Sequence, residues 1–289
     1  MSKLFSDIVT IQEIKKETPS VTTLIFDKQY AARPGQFVMV WISGVDEVPM
    51  ALSAPDAISV QAVGVASIAL SNMKVGQKIG IRGPFGNGFS LGKRVLCVGG
   101  GVGLAPLRMI ASACDEVVYF IGGRNKAELL YLDELATPRG GAKTPAPASE
   151  DLNRGCAILP HGEGMREFMT HKVVTVQAAT DDGSYGHHGF VTELIASADP
   201  GSFDAICVCG PEMMMKNAYL AFEACEVVNR VQFSMHRYMK CGAGVCGSCC
   251  MDPHGYRVCA DGPVFYGSDL GTEEFGLYHR DAAGRRVKE

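Results

Sequence analysis

The chain has 289 residues, enough for two modest domains and a small appendage, and its 47% hydrophobic content can fill their cores. A formal net charge of −4 and a single Trp provide neither the basic surface nor the stacking platform of a nucleic-acid-binding protein. No apolar run approaches the roughly 20 residues that a membrane helix needs, so we expect no membrane segment.

The cysteine content predicts a cellular location. The chain contains 11 cysteines, and its first residues, Met-Ser-Lys-Leu-Phe, lack the basic and then apolar leader of an exported protein. Secreted chains pair their cysteines in disulfides, whereas free thiols persist in reducing compartments. We therefore expect a cytoplasmic protein.

Residues 1–92 are predicted to form a small antiparallel β-barrel, the first of several domains. Short segments rich in Val, Ile, Thr and Phe alternate with turn sequences such as Thr18-Pro19 and Pro34-Gly35. The predicted strands are residues 5–14, 21–26, 36–42, 58–63 and 77–81. A glycine-rich sequence over residues 83–88 closes the barrel.

A helix is predicted inside the barrel sequence, over residues 68–73, with Ser67 as its N-cap. Gly64 opens the turn that leads into it, and Ala66 precedes the cap. Because a helix N-terminus attracts anions, Gly64, Ala66 and Ser67 are candidates for binding the diphosphate of a dinucleotide. The alternative is an ordinary capped helix that plugs one end of the barrel.

The pattern changes at Arg94, where an apolar strand over residues 95–98 leads into a glycine loop and then a helix over 107–113. Glycines in such a loop let the backbone approach a nucleotide diphosphate closely. The same sequence also occurs as a plain tight turn. The candidate nucleotide-binding residues are Gly99, Gly100, Gly101 and Gly103.

Strands and helices alternate as far as residue 229, which predicts a doubly wound parallel sheet over 93–229. The further strands are 117–121, 173–178 and 205–208, and the further helices are 127–135, 189–196 and 213–227. Residues 137–171 interrupt this pattern without periodicity of their own. They are predicted to be a surface insertion, with a lid or partner-contacting segment as the alternative.

The sequence Cys209-Gly210-Pro211-Glu212 stands at the carboxyl end of the last predicted strand, where open α/β sheets bind ligands. A soft thiol at this edge could lie beside a nicotinamide ring, which makes Cys209 the candidate catalytic residue. The alternative is a buried small side chain followed by a Gly-Pro turn.

Residues 230–270 carry the most specific motif, four cysteines in a C-x4-C-x2-C-x9-C spacing. This spacing is typical of plant-type [2Fe–2S] clusters, and the intervening glycines allow a tight loop whose N–H groups point at sulfur. A structural zinc site is the alternative, although its cysteines usually come as two short pairs. The candidate ligands are Cys241, Cys246, Cys249 and Cys259, with Cys250 as a spare. The remaining residues, 271–289, are polar and are predicted to be a solvated tail, or otherwise a partner-bound one.

The chain as a whole is predicted to combine α+β and α/β domains, and it resembles the ferredoxin–NADP reductase superfamily. More narrowly, it resembles the electron-transfer subunits of two-subunit (type B) dihydroorotate dehydrogenases. The sequences that carry the resemblance, besides the glycine loop and the cysteine motif, are residues 82–89, 180–186, 237–242 and 258–265.

The resemblance implies that the barrel binds FAD and that the α/β domain admits NAD(H) near the glycine loop and near Gly210, Pro211 and Glu212. A nicotinamide gives up two electrons at once and a cluster accepts one, so a flavin is needed between them. In the family, electrons then pass to FMN in a catalytic subunit that oxidises dihydroorotate, within a heterotetramer. The rivals are NAD(P)H:ferredoxin or sulfide oxidoreductases, hydrogenase diaphorase subunits, and an adaptor that carries only the cluster.

One stretch departs from the family pattern. Many relatives carry Arg-Pro-x-Ser after the third barrel strand, whereas this chain has Val48-Pro49-Met50-Ala51 followed by Leu52-Ser53. The resemblance therefore assigns the flavin ring to backbone groups of Pro49, Met50 and Ala51 and to Ser53. Arg124 leaves the choice between NADH and NADPH open.

Overall fold

The computed structural model describes residues 6–136, 173–271 and 273–288. The predicted insertion over 137–171 lies outside these ranges. The strands are β1 (Asp7–Lys16), β2 (Val21–Phe26), β3 (Phe37–Ile42), β4 (Asp46–Ala54), β5 (Ala57–Gln61), β6 (Lys78–Phe85), β7 (Arg94–Gly100), β8 (Glu116–Gly123), β9 (Val173–Thr180), β10 (His187–His188), β11 (Ala205–Cys209), β12 (Val231–Ser234), β13 (Cys250–Met251), β14 (Tyr256–Arg257), β15 (Val264–Tyr266), β16 (Tyr278–Arg280) and β17 (Arg286–Lys288).

The α-helices are short, with one exception. They are α1 (Val65–Ser71), α2 (Leu104–Arg108), α3 (Leu132–Ala136), α4 (Leu194–Ser197) and α5 (Glu212–Ala224). Within the described ranges, none has the length and apolar character that crossing a membrane requires.

Strands β1 to β6 form a closed antiparallel barrel in the order β1-β2-β5-β4-β3-β6, which confirms the predicted architecture. Its interior is filled by aliphatic side chains such as Leu24, Val38 and Ile58, all fully buried. Each such side chain contributes about 1.5–3 kcal/mol to folding. The sequence did not predict β4, because the strand begins with two acidic residues and contains Pro49, which cannot donate to a ladder.

The second sheet has seven strands in the order β10-β9-β8-β7-β11-β12-β15. All neighbours run parallel except β15, which is antiparallel to β12. Strand β7 pairs with β8 on one side and β11 on the other, so the chain reverses its direction of winding at β7. The crevice beyond the carboxyl ends of β7 and β11 is the position where such sheets bind ligands.

The cluster region is built into this sheet. Strands β12 and β15 both lie beyond residue 229, so the predicted domain boundary falls inside the sheet. Asn87 at the end of the barrel also holds β15, because its Nδ2 donates to the Val264 carbonyl at 2.8 Å and its Oδ1 accepts the Val264 N–H at 2.9 Å. The barrel, the sheet and the cluster region are thus joined directly.

The first part of the C-terminal tail is packed, so the prediction of a solvated tail was wrong for residues 274–276. Glu274 and Phe275 are 1% and 3% exposed. The Phe275 ring packs on Phe233 of β12 and Tyr219 of α5, with centroids 5.7 and 6.0 Å apart. A single buried aromatic residue within a charged stretch gives no periodic signal, which is why sequence patterning missed it.

Candidate functional site

The four predicted cluster ligands lie on the long loop between β12 and β13 and on the turn after β14. They come together in two pairs: the Cys246 N–H donates to Cys241 Sγ at 3.5 Å, and the Cys259 N–H donates to Cys249 Sγ at 3.4 Å. Cys249 and Cys259 are buried, whereas Cys246 is exposed. The site therefore has an inner and an outer pair of thiols.

Backbone N–H groups of the loop point at the sulfurs. Gly242, Gly244 and Gly247 have φ angles of 66°, 75° and 73°, a left-handed conformation that favours glycine. The Val245 N–H donates to Cys241 Sγ at 3.3 Å, and the Gly244 N–H donates to Cys259 Sγ at 3.2 Å. Such donors stabilise sulfur that carries negative charge, whether in a thiolate or in a metal cluster.

Cys241 of the outer pair and Cys259 of the inner pair differ in the pKa of their thiols. Burial, followed by the neighbouring Cys249, raises the pKa of Cys259 to about 12. Burial also opposes ionisation of Cys241, but backbone N–H groups, that of Cys246 foremost, lower the pKa of this thiol to about 6. Because the thiolate is the form that binds metal, the outer Cys241 is prepared for ligation, whereas Cys259 must lose its proton when metal binds.

The paired arrangement separates the two metal hypotheses. The Cys246 N–H donates to Cys241 Sγ and the Cys259 N–H donates to Cys249 Sγ, so the four residues are arranged as two pairs. A structural zinc ion needs four ligands around one centre, whereas each iron of a [2Fe–2S] cluster takes two cysteines. Two thiol pairs therefore fit the cluster better than zinc.

A cavity of about 850 Å³ opens at the carboxyl edge of the parallel sheet, a size typical of cofactor sites. The predicted residues Gly100, Gly101 and Gly103 form part of its wall, whereas Gly99 lies behind it, within β7. From the barrel side the cavity is lined by Ser20, Val21 and Gln61, and from the sheet side by Gly122, Gly123, Arg124, Asn125, Asp181, Gly210, Pro211, Met213, Met214 and His236.

Gly103 allows the glycine loop to pass the end of β11. A Cβ at this position would lie 2.5 Å from the Cys209 carbonyl oxygen and 2.5 Å from the Gly210 Cα. Both are backbone atoms and cannot rotate away. The glycine therefore keeps together the two loops that form the cavity.

Replacing Gly103 with alanine is expected to lower the free energy of unfolding by about 1–3 kcal/mol, since the added methyl group must displace backbone. The same displacement separates the two loops and weakens nucleotide binding. Urea unfolding and calorimetric titration with NAD⁺ measure the two effects. Gly201→Ala is the matched control, because only the Asp199 carboxylate lies near its new Cβ, at 3.2 Å. Wild-type stability and NAD⁺ affinity in Gly103→Ala would contradict the expectation.

The side chains of Cys209 and Glu212 point into the protein. Cys209 is fully buried, its thiol donates to the Ser234 carbonyl at 3.9 Å, and burial raises its pKa to about 12. The two oxygens of Glu212 accept from Arg237 at 2.6 and 3.0 Å, and one also accepts the Gly276 N–H at 3.0 Å. Nucleotide binding through the Glu212 carboxylate is therefore not supported, and a place for Cys209 beside the nicotinamide stays a prediction.

His236 is a cavity residue that sequence reasoning missed. Its imidazole lines the cavity, with Nε2 3.9 Å from Cys209 Sγ. Desolvation by the surrounding protein lowers the pKa of His236, although the residue is exposed at the open cavity. Its position after β12, at the carboxyl edge of the sheet, is the signal that could have found it.

The predicted flavin residues lie on β4 and around the start of α1. Pro49, Met50 and Ala51 are half-buried on β4 and pair with Met39, Val38 and Phe37 of β3. The Ser53 side chain is buried, and its hydroxyl accepts from Ser59 at 3.0 Å. Direct contact of any of these residues with a flavin stays a prediction.

The helix near the predicted diphosphate site begins earlier than expected. Gly64 is the N-cap of α1, so Ser67 lies in the first turn and the prediction of Ser67 as N-cap was wrong. The Ser67 hydroxyl accepts the N–H groups of Gly64 at 2.9 Å and Val63 at 3.0 Å. A Cβ added to Gly64 would have no neighbour within 4 Å, so the turn is open to a ligand.

The chain matches known proteins over nearly its whole length. Residues 236–271 match the iron-sulfur cluster binding domain of dihydroorotate dehydrogenase B. A probable dihydroorotate dehydrogenase B (NAD(+)) electron transfer subunit from Methanocella arvoryzae is 44% identical over 284 residues, which cover 96% of each chain. The protein of the same name from Methanocaldococcus jannaschii is 38% identical over 291 residues, 97% of each chain.

Solved structures agree with this assignment. The NADH-dependent reduced ferredoxin-NADP oxidoreductase, described with flavin-based electron bifurcation, is 26% identical with a TM-score of 0.70 over 93% of this chain and 91% of that one. A ferredoxin NADP⁺ reductase from Neisseria gonorrhoeae, with bound FAD and NADP, shares the fold with a TM-score of 0.53 at 16% identity, over 78% of this chain and 92% of that one. The resemblance predicted from the motifs is confirmed, and the chain belongs to the family of dihydroorotate dehydrogenase B electron transfer subunits.

Proposed function

We propose that this chain carries electrons from NADH, through bound FAD and a [2Fe–2S] cluster, to the FMN of a catalytic dihydroorotate dehydrogenase subunit. The observation that carries the proposal is the close approach of the cluster loop to β3, the strand that pairs with the predicted flavin strand β4. A Cβ on Gly242, next to the ligand Cys241, would lie 2.7 Å from Met39 Cγ. Met39 is the strand partner of Pro49, so the predicted cluster and flavin sites share one wall.

The chemistry requires these three carriers in this order. When bound, FAD accepts a hydride from NADH and passes the electrons on singly, as a cluster requires. The protein's part is to bind and orient. The glycine loop and the turn at Gly210 and Pro211 receive the nucleotide at the cavity, and the N–H groups around Cys241 and Cys259 stabilise the charge on the cluster.

The exposed face of the cluster loop supports the proposal that a partner subunit binds there. Cys246 belongs to the outer thiol pair, and the neighbouring Val245 is 84% exposed. An electron acceptor that docks here would approach the cluster more closely than from any buried side. We propose that the catalytic FMN subunit binds this face in a heterotetramer, in the cytoplasm.

A second candidate keeps the carriers and changes the acceptor. The relative with a TM-score of 0.70 is a ferredoxin-NADP oxidoreductase, which favours ferredoxin as the alternative partner. Purification of the native complex and identification of the second chain separates the two. Recovery of a ferredoxin-dependent chain in place of a dihydroorotate-oxidising one would replace the first candidate by the second.

Visible absorption of protein purified without air tests the set of carriers. We expect flavin bands at a stoichiometric level together with iron–sulfur absorption, and bleaching of the flavin bands when NADH is added. A spectrum with iron–sulfur features alone would favour an adaptor that carries only the cluster and would defeat the enzyme proposal.

A further inference from the structure

We propose that Arg237 and the C-terminal tail fix the cluster loop at one position relative to the nucleotide cavity, so that flavin-to-cluster electron transfer depends on them. Arg237 would thus be a positioning residue. The inference rests on the proposed function, because it concerns the step between two of its carriers. The inference assigns a role to the buried Arg237, to the packed tail and to Glu212, which binds Arg237. None of these carries electrons in the proposed route.

Arg237 lies between two carboxylates from distant parts of the chain. Its Nη1 donates to Glu212 Oε2 at 2.6 Å, and its Nε donates to Glu274 Oε1 at 2.6 Å. The side chains of Arg237 and Glu274 are 2% and 1% exposed, and that of Glu212 is 8% exposed. Charge-assisted bonds shielded from water in this way hold a single geometry, and the planar guanidinium fixes the directions of both.

The hydrogen bonds that join Arg237 to Glu212 and Glu274 form a buried network. On one side this network reaches the cavity wall. Glu212 is the first residue of α5 and directly follows Pro211, which lines the cavity. Arg237 Nη1 also donates to the carbonyl of His236, another cavity residue, at 2.6 Å. The arginine therefore holds two separate segments of the nucleotide site.

On the other side the network reaches the cluster loop through the tail. Glu274 Oε2 accepts the Asp252 N–H at 2.7 Å and pairs with Arg280 at 3.1 Å. Arg280 Nη1 in turn donates to the Cys250 carbonyl at 3.1 Å. Cys250 directly follows the predicted ligand Cys249, so the network ends one residue from the inner thiol pair.

Electron transfer between two fixed carriers depends steeply on their separation and orientation, whereas hydride transfer depends on the nucleotide and flavin alone. Loosening the tail should therefore slow electron transfer from the flavin to the cluster and leave hydride transfer to the flavin unchanged. Glu274→Ala removes both acceptor oxygens, and Glu274→Gln keeps one acceptor and serves as the milder change. Arg285→Gln is the matched control, since Arg285 lies in the same tail, pairs only with Asp281 among the ion pairs of the described residues, and is 79% exposed.

The test is stopped-flow mixing of the reconstituted full-length chain with NADH, well below each variant's melting temperature, with iron content and bound FAD determined first. We expect Glu274→Ala to slow reduction of the cluster about 10- to 100-fold, with a smaller effect in Glu274→Gln. The rate of flavin reduction should change less than about twofold in both Glu274 variants. Arg285→Gln should reduce flavin and cluster at the same rates as the unchanged chain.

Equal rates of cluster reduction in the unchanged chain and in both Glu274 variants would overturn the inference, and so would an equal slowing of flavin and cluster reduction. If Glu274→Ala does not fold, Glu274→Gln decides by the same criterion. Failure of NADH to reduce flavin and cluster in the unchanged chain would instead overturn the proposed function itself, and the inference with it.

Discussion

Replacing Cys246 with serine is expected to abolish electron delivery to the partner subunit while NADH still reduces the flavin. Cys246 belongs to the outer thiol pair, so its loss removes one of two ligands from one iron. The nucleotide cavity lies at the carboxyl edge of the sheet, and Cys246 is not among its lining residues. Anaerobic stopped-flow absorption of flavin reduction, together with reduction of the partner's FMN, measures the two steps separately.

Cys250→Ser is the matched control for this prediction. Cys250 adjoins Cys249 but begins β13 and stands outside both thiol pairs. We expect full iron content and electron delivery in this variant. If Cys246→Ser lost flavin reduction to the same extent as cluster reduction while staying folded, the order of carriers proposed here would be wrong. Loss of the cluster in Cys250→Ser would make Cys250 a ligand in place of Cys249.

Replacing Arg237 with methionine is expected to lower the free energy of unfolding by about 3–5 kcal/mol, the range measured when one partner of a buried ion pair is removed. The volume of the side chain is nearly retained, so the loss comes from charge rather than from a cavity. The carboxylates of Glu212 and Glu274, 8% and 1% exposed, would both lose Arg237 in the interior, and Glu274 would keep its pair with Arg280 at 3.1 Å. Urea unfolding of the cofactor-loaded protein measures the effect.

Arg285→Met is the control for the stability measurement. The pair between Arg285 and Asp281 lies at the surface, with Arg285 79% exposed, so its removal should leave the free energy of unfolding almost unchanged. If Arg237→Met and Arg285→Met lowered the free energy of unfolding by similar amounts, the buried network would contribute no more to stability than an exposed ion pair. Its assigned role in holding the tail would then lose its physical basis.

The elements that the sequence predicted well are those whose signal is local. The cysteine spacing and the positive-φ glycines Gly242, Gly244 and Gly247 lie within one loop, so their geometry follows from the sequence of that loop. The sequence predicted that Gly103 lets the backbone approach a nucleotide, whereas the close approach that the structure shows there is to the chain's own backbone at Cys209 and Gly210. Strand β11 was found because its apolar run is continuous, and β2 was found because it is rich in β-branched residues.

The elements that were missed depend on contacts between distant residues. Arg237 and Glu274 are 37 positions apart, and Arg237 and Glu212 are 25 apart, so no local pattern marks them as partners. Each charged residue alone predicts a solvated surface, and only folding brings them into the interior. For the same reason Glu212 was assigned to the nucleotide when its carboxylate in fact binds Arg237.

In the proposed electron route, four cysteine sulfurs hold a two-iron cluster close enough to a bound flavin to receive its electrons. Electron paramagnetic resonance of the anaerobically purified protein, frozen after mixing with NADH, tests it most directly. We predict the signal of a reduced [2Fe–2S] cluster, absent without NADH, together with two irons and one FAD per chain within about 20%. Zinc in place of iron, or flavin reduction without any cluster signal, would contradict the account.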